Sequence, residues 1–142
     1  MRSLLIMVFS LATQVAAGES DPRVGKELFD ILCTTCHGTD ARGNGPMAEF
    51  LTQQPADLTQ LQVQNGGVFP TFQVTRQIDG RDPLLAHGGE MPLFGSLLTA
   101  QSTMIQTETG QFILTSQSIA DIVAWLQSIQ TVDQPKISQH IN

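Results

Sequence analysis

Residues 33–37 read Cys-Thr-Thr-Cys-His, and this stretch constrains the chain more than any other. Cysteines at i and i+3 stand on one side of a helical turn, so both thiols reach a single flat ligand. The histidine follows the second cysteine directly. These are the only two cysteines in 142 residues, so the fold has no disulfide framework. Three readings of the pair besides a shared ligand need weighing. A thioredoxin-like redox pair sits beside a βαβ pattern, which is absent here, and the added histidine argues against it. A zinc site wants four ligands, and no further cysteines exist to supply them. A disulfide between residues three apart would be strained.

The pattern C-x-x-C-H is the attachment sequence for a c-type haem. Cys33 and Cys36 would add across two vinyl groups of one porphyrin, and His37 would bring a ring nitrogen to the iron. A proximal histidine is common in haem proteins, and a methionine often takes the other face in electron-transfer haems. The rest of the chain is then expected to build a dry pocket and supply that second ligand.

The amino end fits an exported protein. Met1-Arg2-Ser3 is weakly basic, residues 4–12 are apolar, and Val15 and Ala17 form a small-residue processing pair. This is the layout of a secretory signal peptide, with cleavage expected after Ala17. The apolar run is too short for a membrane-spanning helix, which needs about 20 residues. Residues 18–142 are left as one domain in size, expected in the periplasm without stable membrane insertion.

Composition narrows the partners. Seven Lys and Arg against thirteen Asp and Glu give a net charge of −6, one unit more negative once Arg2 leaves. Nucleic acid is excluded as a partner, since such sites need a basic face. The acidity serves solubility or steers a basic partner; no acidic run stands out to favour steering. Aromatics make up 6% of the chain, and a bound haem would fill much of the core in their place.

Two amphipathic helices are legible. The first opens at Asp21 as N-cap with Pro22 in the first helical position. Val24, Leu28, Ile31 and Leu32 recur at helical spacing, Gly25 and Phe29 lie on an adjoining face, and Gly38 is a suitable stop. Glycine inside a helix costs up to ~1 kcal/mol relative to alanine, so Gly25 predicts the close approach of another helix. That helix is capped by Thr115 or Ser116. It carries Ile119, Ile122, Val123, Leu126 and Ile129 as a stripe, with Trp125 three residues after Ile122 and Pro135 as a stop beyond it.

With these residues in view, the chain resembles a class I c-type cytochrome, the small bacterial monohaem kind. The resemblance implies an all-α fold in which the first and last helices cross around one haem, with a loop-rich middle. It matches the family's Gly-x-x-x-Phe pair to Gly25 and Phe29, and its aliphatic and aromatic partners to Ile122 and Trp125. It also implies that a proline carbonyl in the turn-rich stretch after the motif accepts the Nδ1 proton of His37, which assigns that role to Pro46. Met91-Pro92, followed by Leu93, Phe94 and Gly95, resembles the family's distal-ligand loop and makes Met91 the second axial ligand. Met104 is the reserve candidate, and His87 would give a bis-histidine haem instead. Met47 is too near His37 to cross the haem, and His140 is expected to be solvated.

Residues 47–51 suggest a short helix, and Phe72, Val74 and Ile78 suggest a further helical piece ending at Asp79-Gly80. Arg76 and Arg81 are candidates to pair with haem propionates, because a guanidinium matches a carboxylate with a planar fork of donors. The stretch 103–114 carries a Thr109-Gly110 turn between apolar runs and reads as a small hairpin or an irregular flap.

The implied function is a periplasmic electron carrier with one covalent haem c, not an enzyme, monomeric by itself and docking transiently with redox partner proteins. Two alternatives stay open: a subunit of a larger oxidoreductase, and a haem enzyme or sensor with a labile distal ligand.

Overall fold

In the computed structural model, residues 19–80, 91 and 94–131 are described. The expected leader, Arg81, His87, Pro92 and His140 lie outside them. The element order is α1 (Pro22–Leu32), α2 (Thr34–His37), α3 (Leu61–Gln64), α4 (Thr71–Asp79), β1 (Ser102–Gln106), β2 (Phe112–Ser116) and α5 (Gln117–Ser128). Single 3₁₀ turns lie at Ala48–Phe50 and Leu58–Gln60.

Local chemistry sets the helix ends. The Asp21 side chain accepts from the Arg23 amide, and Pro22 occupies the first turn, where its missing N–H costs nothing. Ser116 accepts from the Ile119 amide at the start of α5. Gly80 closes α4 in the left-handed region with φ of 78°, a conformation glycine adopts without penalty. The first turn of α4 begins after Pro70, which offers no side-chain cap. Its Phe72 amide is instead satisfied by the Glu108 carboxylate at 3.0 Å, across 36 residues.

The α1 and α5 helices meet face to face. A Cβ at Gly25 would collide with the Asp121 carbonyl, so only glycine allows this separation. Phe29 and Trp125 stack with ring centroids 4.4 Å apart, an arrangement worth about 1 kcal/mol beyond the buried area. Asp121 adds a polar tie, accepting from the Asp21 amide at 2.9 Å and from Gln117 Nε2 at 2.9 Å. The buried residues of α1 are Gly25 and Phe29, and Cys33 continues the same i, i+4 ridge. The expected stripe through Val24 and Ile31 is therefore corrected: Ile31 is 75% exposed. Ridge packing at a glycine fixes the rotation of the helix, and that turns Ile31 outward.

The core holds Phe29, Ile78, Leu98, Ile119, Ile122, Val123, Trp125 and Leu126, so the apolar stripe expected on α5 is buried except at its end, where Ile129 caps the helix half-buried. The carboxyl end is clasped to the 58–62 segment. Gln130 Oε1 accepts from the Gln62 amide, its Nε2 donates to the Leu58 carbonyl, and the Thr131 amide donates to the Thr59 carbonyl.

The stretch after Met91 adds a two-stranded hairpin to the helical frame, choosing the hairpin over the flap. β1 and β2 pair antiparallel, with Thr103 opposite Thr115 and Met104 opposite Leu114. The hairpin is patterned against hydrophobicity. Thr103, Thr107 and Thr115 are buried with Ile113, whereas Met104, Phe112 and Leu114 face outward. No helix among the described residues is long and apolar enough to cross a membrane.

Candidate haem site

The site begins where the α1 ridge ends. Cys33 is the last residue of that ridge and caps α2, the single turn that carries Cys36 and His37. Cys33 and Cys36 form no disulfide with each other. Burial pushes the Cys33 thiol up to about 12, with the neighbouring Cys36 adding to the shift. A redox-active C-x-x-C pair needs the opposite, a thiol lowered toward the thiolate, so the thioredoxin-like reading loses its chemistry.

The loop after the motif is folded back on it by backbone bonds. The Gly43 amide donates to the His37 carbonyl at 2.8 Å, Gly45 to Cys36 at 3.0 Å and Met47 to Thr35 at 2.9 Å. Gly45 sits where a Cβ would press on the carbonyls of Thr34 and Thr35. Gly43 has φ of +74°, and a Cβ there would strike the Pro55 carbonyl. The 54–56 segment thus packs directly on Gly43, with Gln54 Nε2 donating to the Gly43 carbonyl at 2.6 Å.

That packing delivers the Ala56 carbonyl to His37, 3.2 Å from Nδ1. A carbonyl only accepts, so Nδ1 carries the proton and Nε2 keeps the lone pair suited to a metal. The resemblance implied the Pro46 carbonyl for this role; the contact described at Nδ1 is to Ala56. The Gly45 and Met47 amides hold residues 45–47 against the α2 backbone, and Pro46 lines an open depression with Thr34, Thr35 and Gly38 instead.

Two cavities adjoin the motif. One, of about 390 Å³, is walled by residues including Phe29, Leu58, Leu61, Val74, Ile78 and Leu126. The other, of about 320 Å³, is walled by residues including Leu32, Leu51, Pro55 and Phe94. Cys33, His37 and Met91 line both. An imidazole and a thioether suited to iron, two thiols placed to tether the porphyrin, and apolar walls together fit a haem. Among the described residues there is no cluster of three His, Cys, Asp or Glu for a bare metal ion.

Met104 is 61% exposed on the outer face of the hairpin, and it lines neither cavity. Arg76 lines neither cavity as well; its guanidinium lies 5.3 Å from the centre of the Phe72 ring, which does line the larger one. Two contributors have no sequence signal: the Ala56 main-chain carbonyl, and Gln77, whose Nε2 stands 3.8 Å from Met91 Sδ.

The cytochrome c family model matches residues 23–130, a span that takes in every element from α1 to α5. The chain belongs to the cytochrome c family. It is thus a c-type cytochrome whose cofactor is a covalently bound haem c with iron, and its role is electron transfer with redox partner proteins. No curated protein and no solved structure matches the chain.

Proposed function

We propose that the protein is an exported class I cytochrome of the small bacterial monohaem kind. Residues 1–17 are its signal peptide, and residues 18–142 work in the periplasm as a monomeric electron carrier, not an enzyme. Cys33 and Cys36 would tether one haem, and His37 and Met91 would hold its iron. The observation that carries this reading is the joint lining of both cavities by Cys33, His37 and Met91. In this reading α1 and α5 are the crossed helices of the family fold, meeting at Gly25.

Bound haem supplies the one-electron couple. The chain sets its energetics. Ala56 orients the His37 ring through Nδ1, the kind of partner that raises ligand basicity. Met91 offers a soft sulfur that favours ferrous iron. Phe29, Ile78, Ile122 and Leu126 keep water from the ring face and disfavour the extra charge of the ferric state. Arg76 on α4 and Arg81 just beyond it are the guanidinium candidates for the propionates. A haem iron held by both His37 and Met91 would be closed to substrate and oxygen, and the chain would serve one-electron exchange during brief docking with its partners. Small interfaces suit such encounters.

A haemochrome spectrum of protein matured in a c-type assembly host tests the covalent haem; release of free haem into acidified solvent would sink it. Met91→Ala tests the distal ligand. The variant is expected to lose the methionine-to-iron charge-transfer band of the ferric protein and to bind added imidazole. An unchanged spectrum would remove Met91 from the iron. A second reading, a subunit of a larger oxidoreductase, draws support from the outward Met104 and Phe112 of the hairpin; co-purification with a catalytic subunit would favour it.

A further inference from the structure

The hairpin carries its largest apolar residues on the side that burial alone would not choose. Its register sets Met104 opposite Leu114 and Gln106 opposite Phe112. Side chains alternate across a strand, so Met104, Leu114 and Phe112 adjoin on the outer face, where they are 61%, 59% and 67% exposed. Thr103 and Thr115 take the inner face. A one-residue slip would exchange the two faces, and the paired strands do not adopt it. Ser102, Gln106 and Ser116 complete the outer face, so it is apolar and uncharged. Contiguous apolar surface of this kind marks interaction sites.

Charge narrows what can sit there. Across residues 91–120 Glu108 is the only Asp, Glu, Lys or Arg, and its carboxylate is turned to the Phe72 amide at 3.0 Å. The whole chain carries −6, and a second copy would bring the same net charge against it. A basic partner would find no carboxylate on this face to pair with. A face that lies on a lipid surface is flanked by Lys and Arg, and the strands have neither. A protein patch as apolar and uncharged as the hairpin itself is what fits. The turn end of the face also reaches the cofactor site. Gln106 and Phe112 flank the turn that carries Glu108, and Phe72, to which that turn is pinned, lines the larger cavity.

We propose that Met104, Phe112 and Leu114 form the docking surface for a redox partner protein whose own patch is apolar and uncharged. The inference rests on the electron-carrier reading above and adds the surface and its chemistry. Apolar burial drives such docking, so salt has little effect on it, unlike docking steered by charge.

A photo-crosslinking residue placed at Gln106 of the holoprotein, illuminated in the cells that make it, identifies the occupant. The combined variant Met104→Thr, Phe112→Thr and Leu114→Thr tests the contact, since threonine keeps strand propensity while removing most of the apolar area. Ile31→Gln, on the exposed flank of α1, is the control. The expected adduct is with a redox protein. Its electron exchange with the holoprotein is expected to fall at least about tenfold in the triple variant and to stay unchanged in the control. Raising salt to about 0.5 M is expected to change that rate less than about twofold. Ferricyanide, which needs no docking patch, is expected to oxidise all three proteins at one rate. An adduct with a second copy, with lipid or with a protein that exchanges no electrons overturns the proposal, as does no adduct at all. A smaller fall in the triple variant, a larger salt effect or slowed ferricyanide oxidation in the triple variant also overturns it. If the triple variant does not fold, Met104→Thr and Phe112→Thr singly decide by the same rates. An unaltered holoprotein that ferricyanide cannot oxidise would instead sink the electron-carrier reading, and this inference with it.

Discussion

Gly25 of α1 faces the main-chain carbonyl of Asp121 on α5 with no room between them for a methyl group. The Ile122 amide nitrogen lies only 2.9 Å from where a Cβ would stand. Main-chain atoms of α5 cannot rotate aside as a side chain would. Gly25→Ala is therefore expected to push the helices apart. Overpacking costs about 1–3 kcal/mol, and the better helix propensity of alanine returns up to ~1 kcal/mol. A net loss of about 1 kcal/mol is expected in denaturant unfolding of the holoprotein, and an equal or higher stability would refute the close approach.

Thr115 is buried on β2, and its hydroxyl oxygen has no hydrogen-bond partner among the described residues. Valine has the same shape without that oxygen. Removing an unsatisfied buried polar group recovers about 1–3 kcal/mol. Thr115→Val is expected to stabilise the fold by about 1 kcal/mol. A loss of stability in thermal unfolding would mean that the hydroxyl is satisfied in solution.

Hydrogen bonds from the Arg23 side chain and backbone hold the Asp21 carboxyl below its ordinary value of 3.8. A carboxyl with a depressed folded value stabilises the fold above its unfolded value, and that contribution is lost as pH falls through the folded one. Asp21→Asn keeps an oxygen to cap α1 but does not titrate. The stability difference between the two proteins is expected to be constant near neutral pH and to vanish as pH falls through the lowered folded value of Asp21. A gap that persists in acid would detach the Asp21 charge from stability.

Gly43 admits the 54–56 segment that brings the Ala56 carbonyl to His37. Gly43→Ala introduces a Cβ at φ of +74°, against the Pro55 carbonyl. The segment must shift, and the Nδ1 contact weakens. A less basic imidazole favours ferrous iron, so the potential is expected to rise in voltammetry. A fall would show that Ala56 does not polarise the ring.

The Glu108 carboxylate at the hairpin turn supplies the cap that Pro70 cannot give α4. Glu108→Ala is expected to cost about 1 kcal/mol, as the loss of a helix cap does. Hydrogen exchange at the Phe72 amide gives the local measure: faster exchange there, with α5 unaffected, is the expected pattern.

What the sequence disclosed was chemistry written in side chains at short range. Asp21-Pro22 and Ser116 mark helix starts because a side chain meets its own backbone within three residues. Cys33, Cys36 and His37 declare a cofactor because their spacing has one main use. The pairing of Gly25 and Phe29 with Ile122 and Trp125 was legible because the gap at glycine and the ring contact both need particular residues. The Ala56 carbonyl was hidden, since every residue has a carbonyl and only the fold selects one. Hydrophobic periodicity placed Ile31 on the wrong face because it weighs greasiness and ignores where glycine lets a neighbour in. It also fails on the hairpin, where threonines point inward and Met104 and Phe112 outward. The Gln77 contact with Met91 depends on a loop and a helix meeting fourteen residues apart, which no local pattern encodes.

The clasp at Gln130 and Thr131 has a consequence for the order of events in a cell. It anchors Leu58 and the start of α3, both part of the larger cavity wall, to the end of α5. Synthesis delivers the amino end first, so Cys33 and Cys36 emerge nearly a hundred residues before the clasp exists. Closing that wall early would bury Cys33 with its thiol firmly protonated. The late position of the clasp in the chain means that the wall beside Cys33 is fastened only once residues 130 and 131 have joined the fold.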